Sequence, residues 1–112
     1  MEVLFSTRKM QRDCSAEREM IRRWGKPLAK KLQQRLMELN AARTLADMSR
    51  LPPARCHELT LDRKGQLSVD LAQPYRLVFV PDHDPVPLKP DRGLDWTGVT
   101  RVLILEVVDT HA

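Results

Sequence analysis

The stretch Leu51-Pro52-Pro53-Ala54-Arg55-Cys56-His57-Glu58-Leu59-Thr60-Leu61 marks the point where the chain changes its hydrophobic period, and its reading decides the fold. The proline pair ends a helical half, because proline lacks an amide donor and fixes φ. Beyond it, His57, Leu59 and Leu61 alternate with Cys56, Glu58 and Thr60, the two-residue period of a strand. Asp62-Arg63-Lys64-Gly65 reads as a hairpin turn, with Gly65 able to adopt positive φ. Leu67, Val69 and Leu71 then alternate with Ser68 and Asp70, and Tyr75 to Val80 follow Pro74 as a third strand of the meander. The nearly all-apolar run from Val102 to Val108 predicts a strand buried on both faces.

Toward the N-terminus the period is helical. Val3-Leu4-Phe5 predicts a short strand, and Ser6 or Thr7 offers an N-cap to a helix running from Arg8 to Trp24. That helix carries Met10, Cys14, Met20, Ile21 and Trp24 on one loosely apolar face. Gly25 suits a helix stop and Pro27 the first turn of the next. Leu28, Leu32, Leu36 and Leu39 form the clearest amphipathic stripe, with Lys30, Lys31, Gln34 and Arg35 opposite. The short joint predicts a helical hairpin. Thr44, with Asp47 three residues on, predicts a capped third segment docked by Leu45, Met48 and Leu51.

The expected architecture is therefore α+β: an N-terminal strand and a helical hairpin packed on a mostly antiparallel sheet, in a single domain spanning residues 1–112. Between the third and last strands, residues 81–98 hold Pro81, Pro85, Pro87 and Pro90, which predicts a long surface loop pinned by Trp96.

Composition narrows the function classes. With 42% hydrophobic but only 4% aromatic residues, aliphatic side chains must carry the core. No apolar run approaches the roughly 18 residues of a membrane span, and the opening residues are too few and too acidic for a signal peptide. A cytoplasmic location is expected. Cys14 and Cys56 lie outside any C-x-x-C pair, so neither a structural zinc nor a disulfide is anticipated, and both read as small buried hydrophobes. Residues 1–56 contain thirteen Lys/Arg against six Asp/Glu, and residues 57–112 six against nine, so balances of +7 and −3 make up the net charge of +4. A basic helical half suits a polyanionic partner.

Ala54-Arg55-Cys56-His57-Glu58-Leu59, Asp62-Arg63-Lys64-Gly65, Ser68-Val69 and Pro74-Tyr75-Arg76-Leu77-Val78-Phe79, taken in this order, resemble the HigB ("killer protein") branch of the RelE/ParE toxin superfamily. The closing Asp109-Thr110-His111 is similar to that branch's terminal Asp-Tyr-His. The resemblance covers nearly the whole chain apart from the Pro-rich loop.

It implies a RelE-like fold and a ribosome-dependent endoribonuclease, the toxin of a type II toxin–antitoxin pair, cutting mRNA by attack of a ribose 2′-hydroxyl on the adjacent phosphate without a metal or other cofactor. Its implied partners are the ribosome, mRNA and a HigA-type helix-turn-helix antitoxin, through which alone it would meet operator DNA. Such chemistry needs a proton acceptor, a proton donor and cations for the phosphate. Imidazole suits either proton task, with an ordinary pKa of about 6.5, and the planar guanidinium suits phosphate. By this resemblance His57 and His111 are the candidate acid–base residues, Arg76 contacts phosphate, and Asp109 orients His111. Arg63 and Lys64 at the turn, and Lys30, Lys31 and Arg35 on the second helix, are the expected RNA contacts. His83, among Pro and Asp, is expected to be merely solvated.

Two positions depart from the branch: Thr60-Leu61 stands where many relatives have a catalytic lysine, and Thr110 where they have tyrosine. Two other readings follow from the superfamily: a ParE-like inhibitor of DNA gyrase, which needs neither histidine, and an antitoxin-binding module that has lost catalysis.

Overall fold

Thr7 opens the helical half as its sequence suggests: its Oγ1 accepts the amide of Met10 at 3.0 Å. The computed structural model describes residues 1–109. It begins with β1 (Glu2–Phe5), followed by α1 (Arg8–Asp13), α2 (Glu17–Trp24) and α3 (Lys26–Ala41). The helix expected over 8–24 is thus two helices. The Ser15 hydroxyl and amide both turn back to the Arg12 carbonyl, at 2.7 and 3.2 Å, a local side-chain bond that competes with the helical ladder. Gly25 separates α2 from α3 at φ +86, where an L-residue would be strained, and Pro27 stands in the first turn beyond.

A 3₁₀ segment, Leu45–Arg50, follows and buries Leu45 and Met48. Its expected capping by Thr44 is not made. Asp47 instead accepts the backbone amide of Arg43 at 2.9 Å and pairs with the Arg43 guanidinium. Pro52–Ala54 forms one further 3₁₀ turn, closed by Arg55 in the left-handed region at φ 46.

The remaining strands are β2 (His57–Glu58), β3 (Leu67–Asp70), β4 (Arg76–Pro81) and β5 (Arg101–Val108), joined with β1 into one sheet of order β1-β5-β4-β3-β2. Only the β1–β5 pair is parallel, the others being antiparallel. β2 is much shorter than its alternation predicts. Leu61 leaves the pattern at φ 57, and Leu61–Arg63 winds into a 3₁₀ turn before Gly65 at φ 92.

Leu67, Val69, Leu77, Phe79, Val102 and Ile104 project from one face of the sheet into a core shared with Leu28, Leu32 and Leu39 of α3. β5 is not buried on both faces: Val102 and Ile104 are buried, but Leu103 and Leu105 only half so, and Glu106 is exposed. The helices cover one face only.

The Pro-rich loop is more ordered than proline content suggests. Leu88 bridges Leu94, Asp95 caps a 3₁₀ turn at Trp96–Gly98, and the Trp96 indole donates to Glu58 Oε2 at 3.0 Å. Trp96 pins the loop as expected. His83 is not merely solvated: it is half-buried, and its Nε2 accepts the Thr100 amide at 3.0 Å.

Candidate active site

The meander β2–β3–β4 closes on itself so that Asp70 faces Arg76 and Ser68 faces both His57 and Val78. With a two-residue period, these side chains stand on the sheet face turned away from the helices. The next strand brings Glu106 opposite Val78 and Val108 opposite Arg76. His57, Asp70, Arg76 and Glu106 therefore share one face because of register alone.

Arg76 is the centre of this group. Its Nη1 lies 3.3 Å from His57 Nε2, and its Nε lies 3.4 Å from Asp70 Oδ1. His57 Nδ1 lies 2.8 Å from the carbonyl of Arg55. A carbonyl can only accept, so Nδ1 carries the proton and Nε2 presents a lone pair toward Arg76. The left-handed turn at Arg55 is what brings that carbonyl beneath the ring.

Asp70 is buried and holds two further arginines. Its Oδ2 lies 3.4 Å from Arg55 Nη1, and its backbone carbonyl accepts from Arg35 Nε at 2.8 Å. Arg35 also donates to the Pro53 carbonyl at 3.0 Å and to Glu38 Oε1 at 2.9 Å. It is only 2% exposed. The expected RNA contact at Arg35 is thereby corrected. Its guanidinium points inward, clamping the 52–54 turn to the end of β3, because both ends leave carbonyls that need a donor.

Around the Asp70 carboxylate stand the guanidiniums of Arg55 and Arg76, an excess of positive charge on a face where Arg55 is 59% exposed. Such a cluster favours an anion, and paired guanidinium donors match phosphate oxygens. Arg63 reaches the same face, donating to Glu106 Oε2 at 3.2 Å. Asp109 directly follows Val108, the register partner of Arg76. His111 and Thr110 lie outside the described residues.

Other expected contacts are placed apart. Lys30 and Lys31 are exposed on α3, on the helical side of the sheet. Lys64 lines a groove of about 610 Å³ between the 59–66 turn and the 86–94 loop, bordered by neither His57 nor Arg76. Thr60 lines that groove too.

Cys56, beside His57, is not a nucleophile in waiting: burial, and secondarily Glu58, push its thiol up to about 12. Among the described residues no group of three or more His, Cys, Asp or Glu side chains could hold a metal ion, and no helix is long and apolar enough to cross a membrane.

Arg55 and Asp70 were not singled out as functional from the sequence. A signal was present, since a tight connection centred on Gln73 pairs Asp70 with Arg76 across the hairpin. Arg55 carried no such signal, because its role depends on a left-handed backbone after two prolines. Comparison with known family models and with curated proteins returned no match for this chain.

Proposed function

We propose that this chain is a RelE-type toxin of the HigB kind, a ribosome-dependent endoribonuclease acting on mRNA in the cytoplasm and neutralised by a helix-turn-helix antitoxin. The observation that carries this reading is the contact of Arg76 Nη1 with a His57 Nε2 whose other nitrogen is tied to the Arg55 carbonyl. The element order, with one strand, helices and then a four-strand meander and return, is consistent with it.

In the proposed reaction an RNA phosphate takes the Arg76 guanidinium as donor, with Arg55 as the second cation. This frees the His57 Nε2 lone pair to accept the proton of the ribose 2′-hydroxyl. The 2′ oxygen forms a bond to phosphorus, the bond from phosphorus to the 5′ oxygen breaks, and a 2′,3′-cyclic phosphate remains. The proton for the leaving 5′ oxygen is assigned to His111, oriented by Asp109. Arg63 contacts the RNA backbone beside the site, and Lys30 and Lys31 add salt-sensitive affinity from α3.

A second reading, a binding module without catalysis, is favoured by one observation: the expected lysine position is Thr60, whose side of the hairpin opens on the groove. Arg55 answers it by supplying a cation from the strand entrance.

The deciding experiment is controlled induction in growing cells with transcripts mapped by primer extension, beside an Arg76→Ala/His57→Ala variant. Growth arrest with cuts inside translated codons, and neither from the variant, is the expected result. Equal toxicity of the two proteins overturns the catalytic reading. Loss of supercoiling without RNA cuts identifies a gyrase poison instead.

A further inference from the structure

We propose that the groove between the 59–66 turn and the 86–94 loop is a docking site for an acidic, apolar segment of a partner protein. Its volume of about 610 Å³ lies within the range of formed binding sites, about 300–1,000 Å³. Both walls are preformed. On one side Lys64 N donates to Leu61 O at 3.1 Å and Gln66 N to Arg63 O at 3.0 Å; on the other Lys89 N donates to Gly93 O at 2.7 Å and Arg92 N to Lys89 O at 2.8 Å.

Three apolar side chains of these walls face water, while Leu67 at the base belongs to the core and Leu94 packs against it. Leu61 is 88% exposed, and Leu88 and Val86 are 50% and 40% exposed on the facing wall. Leu61 and Arg92 also hold left-handed backbones, at φ 57 and 72. A side chain there is disfavoured by about 1–2 kcal/mol, and glycine would avoid it. An exposed leucine in a strained backbone gains nothing within this fold, whereas coverage by a partner offsets both costs.

Charge selects the occupant. Lys64 and Arg92 line the groove and form no ion pair or side-chain hydrogen bond among the described residues. Glu58, the one carboxylate of the lining, is engaged by the Trp96 indole. The occupant therefore needs apolar side chains for Leu61, Val86 and Leu88, with Asp or Glu opposite Lys64 and Arg92. A small molecule held inside the cleft would leave Leu61 at the rim in water; a chain segment crossing the rim covers it. An amphipathic helix laid into the groove has this form.

Neither His57 nor Arg76 borders the groove, so the inference stands apart from the RNA-cleavage reading. The test uses two synthetic amphipathic peptides of equal length, one built of leucine and glutamate and one of leucine and lysine, titrated into the isotope-labelled protein. The acidic peptide is expected to bind, with amide shifts confined to residues 59–66 and 86–94. Leu61→Ser/Leu88→Ser, both at exposed positions, should weaken it at least about tenfold, and Lys64→Glu/Arg92→Glu should reverse the preference between peptides. Equal binding of both peptides, shifts on another surface, no saturable binding, or tighter occupation of the same residues by a poly-uridine oligonucleotide would each overturn the proposal.

Discussion

Arg76 Nη1 stands 3.3 Å from His57 Nε2, a donor meeting the lone pair of an imidazole that has already committed its Nδ1 proton to the Arg55 carbonyl. The contact makes the histidine an acceptor before any ligand arrives. It also makes the fork of Arg76 matter as much as its charge, since one arm meets the ring while Nε faces Asp70. Lysine keeps the charge and loses the fork. Arg76→Lys is expected to lower RNA scission by about 10²-fold, and His57→Gln by about 10²–10⁴-fold, the usual worth of a positioned acid–base group. Single-turnover cleavage on programmed ribosomes measures both. A lysine variant as active as the parent would show that the fork is dispensable.

Asp70 is the buried carboxylate facing Arg76 and Arg55, at 3.4 Å from each. Removing one partner of a buried ion pair costs more than the pair itself contributes, because the other charge stays desolvated. Asp70→Ala is expected to lower the unfolding free energy by about 3 kcal/mol in urea titration, and Asp70→Asn by less, since the amide keeps the shape and a hydrogen-bonding oxygen. A loss under about 0.5 kcal/mol for the alanine variant, the range of an ordinary surface change, would remove Asp70 from the centre of the cluster.

Arg35 and its helix neighbours Lys30 and Lys31 separate stability from affinity. Arg35→Met leaves the carbonyls of Asp70 and Pro53 without their donor, at about 1–3 kcal/mol each, and should destabilise the fold by about 3 kcal/mol. Lys30→Ala/Lys31→Ala should leave stability within about 0.5 kcal/mol. If both lysines meet phosphates, the same pair of changes reduces the slope of log K against log salt by about 1.4 on single-stranded RNA, at about 0.7 per contact. An unchanged slope would take these lysines out of the RNA interface.

What the sequence disclosed of this fold follows from what period and punctuation can encode. Thr7, Gly25, Pro27 and Gly65 act locally, and each does in the structure what its residue type requires. The leucine stripe of α3 records one buried face and was readable; the alternation in β3 marked the strand, but it did not disclose that Ser68 and Asp70 on the opposite face are buried as well. Arg35 does not belong to the polar side: three residues after Leu32 and four before Leu39 it stands on the buried face of α3, and its charge hid a position that the helical period places inward, where the 52–54 turn and β3 supply its acceptors. The break at Ser15 and the early end of β2 at Glu58 are decided by side-chain-to-backbone competition and by a left-handed Leu61, neither of which leaves a periodic trace. Of the site, His57 and Arg76 were visible as residue types in an ordered motif. The Arg55 carbonyl that orients His57 was not, because backbone conformation after Pro52-Pro53 is not written in the identity of Arg55.

The two thiols give the fold an alkaline limit. Burial raises Cys56 from the ordinary 9.0 to about 12 and Cys14 to about 11. Both pKa values are higher in the folded than in the unfolded chain, so the folded state holds its protons longer. Below pH 9 both states are protonated and the contribution is complete; above it the unfolded thiols ionise first, and stability falls until the folded pKa is reached. Urea unfolding followed from pH 9 to pH 11 should show this decline, and Cys56→Ala should flatten it relative to the parent. A variant with the parent's slope would mean that the Cys56 thiol is solvated.

Trp96 joins the loop to the sheet edge through one bond, indole Nε1 to Glu58 Oε2 at 3.0 Å. A hydrogen bond to a carboxylate contributes about 1.5–3 kcal/mol, and this one is at the surface, so the lower end applies. Trp96→Phe keeps the ring against the core and deletes the donor. It is expected to cost about 1.5 kcal/mol globally while loosening the 86–94 wall more than the rest of the fold, since the loop's other polar ties are its own turn bonds and the contacts of Asp82 and His83 with Arg101 and Thr100. Limited trypsin digestion reads the local part: cleavage after the exposed Arg92 should accelerate in Trp96→Phe and in Glu58→Ala, and hardly at all in Glu58→Gln, whose oxygen still accepts. If all three variants digest at the parent's rate, the loop is held by its internal hairpin alone and Trp96 is only a core residue.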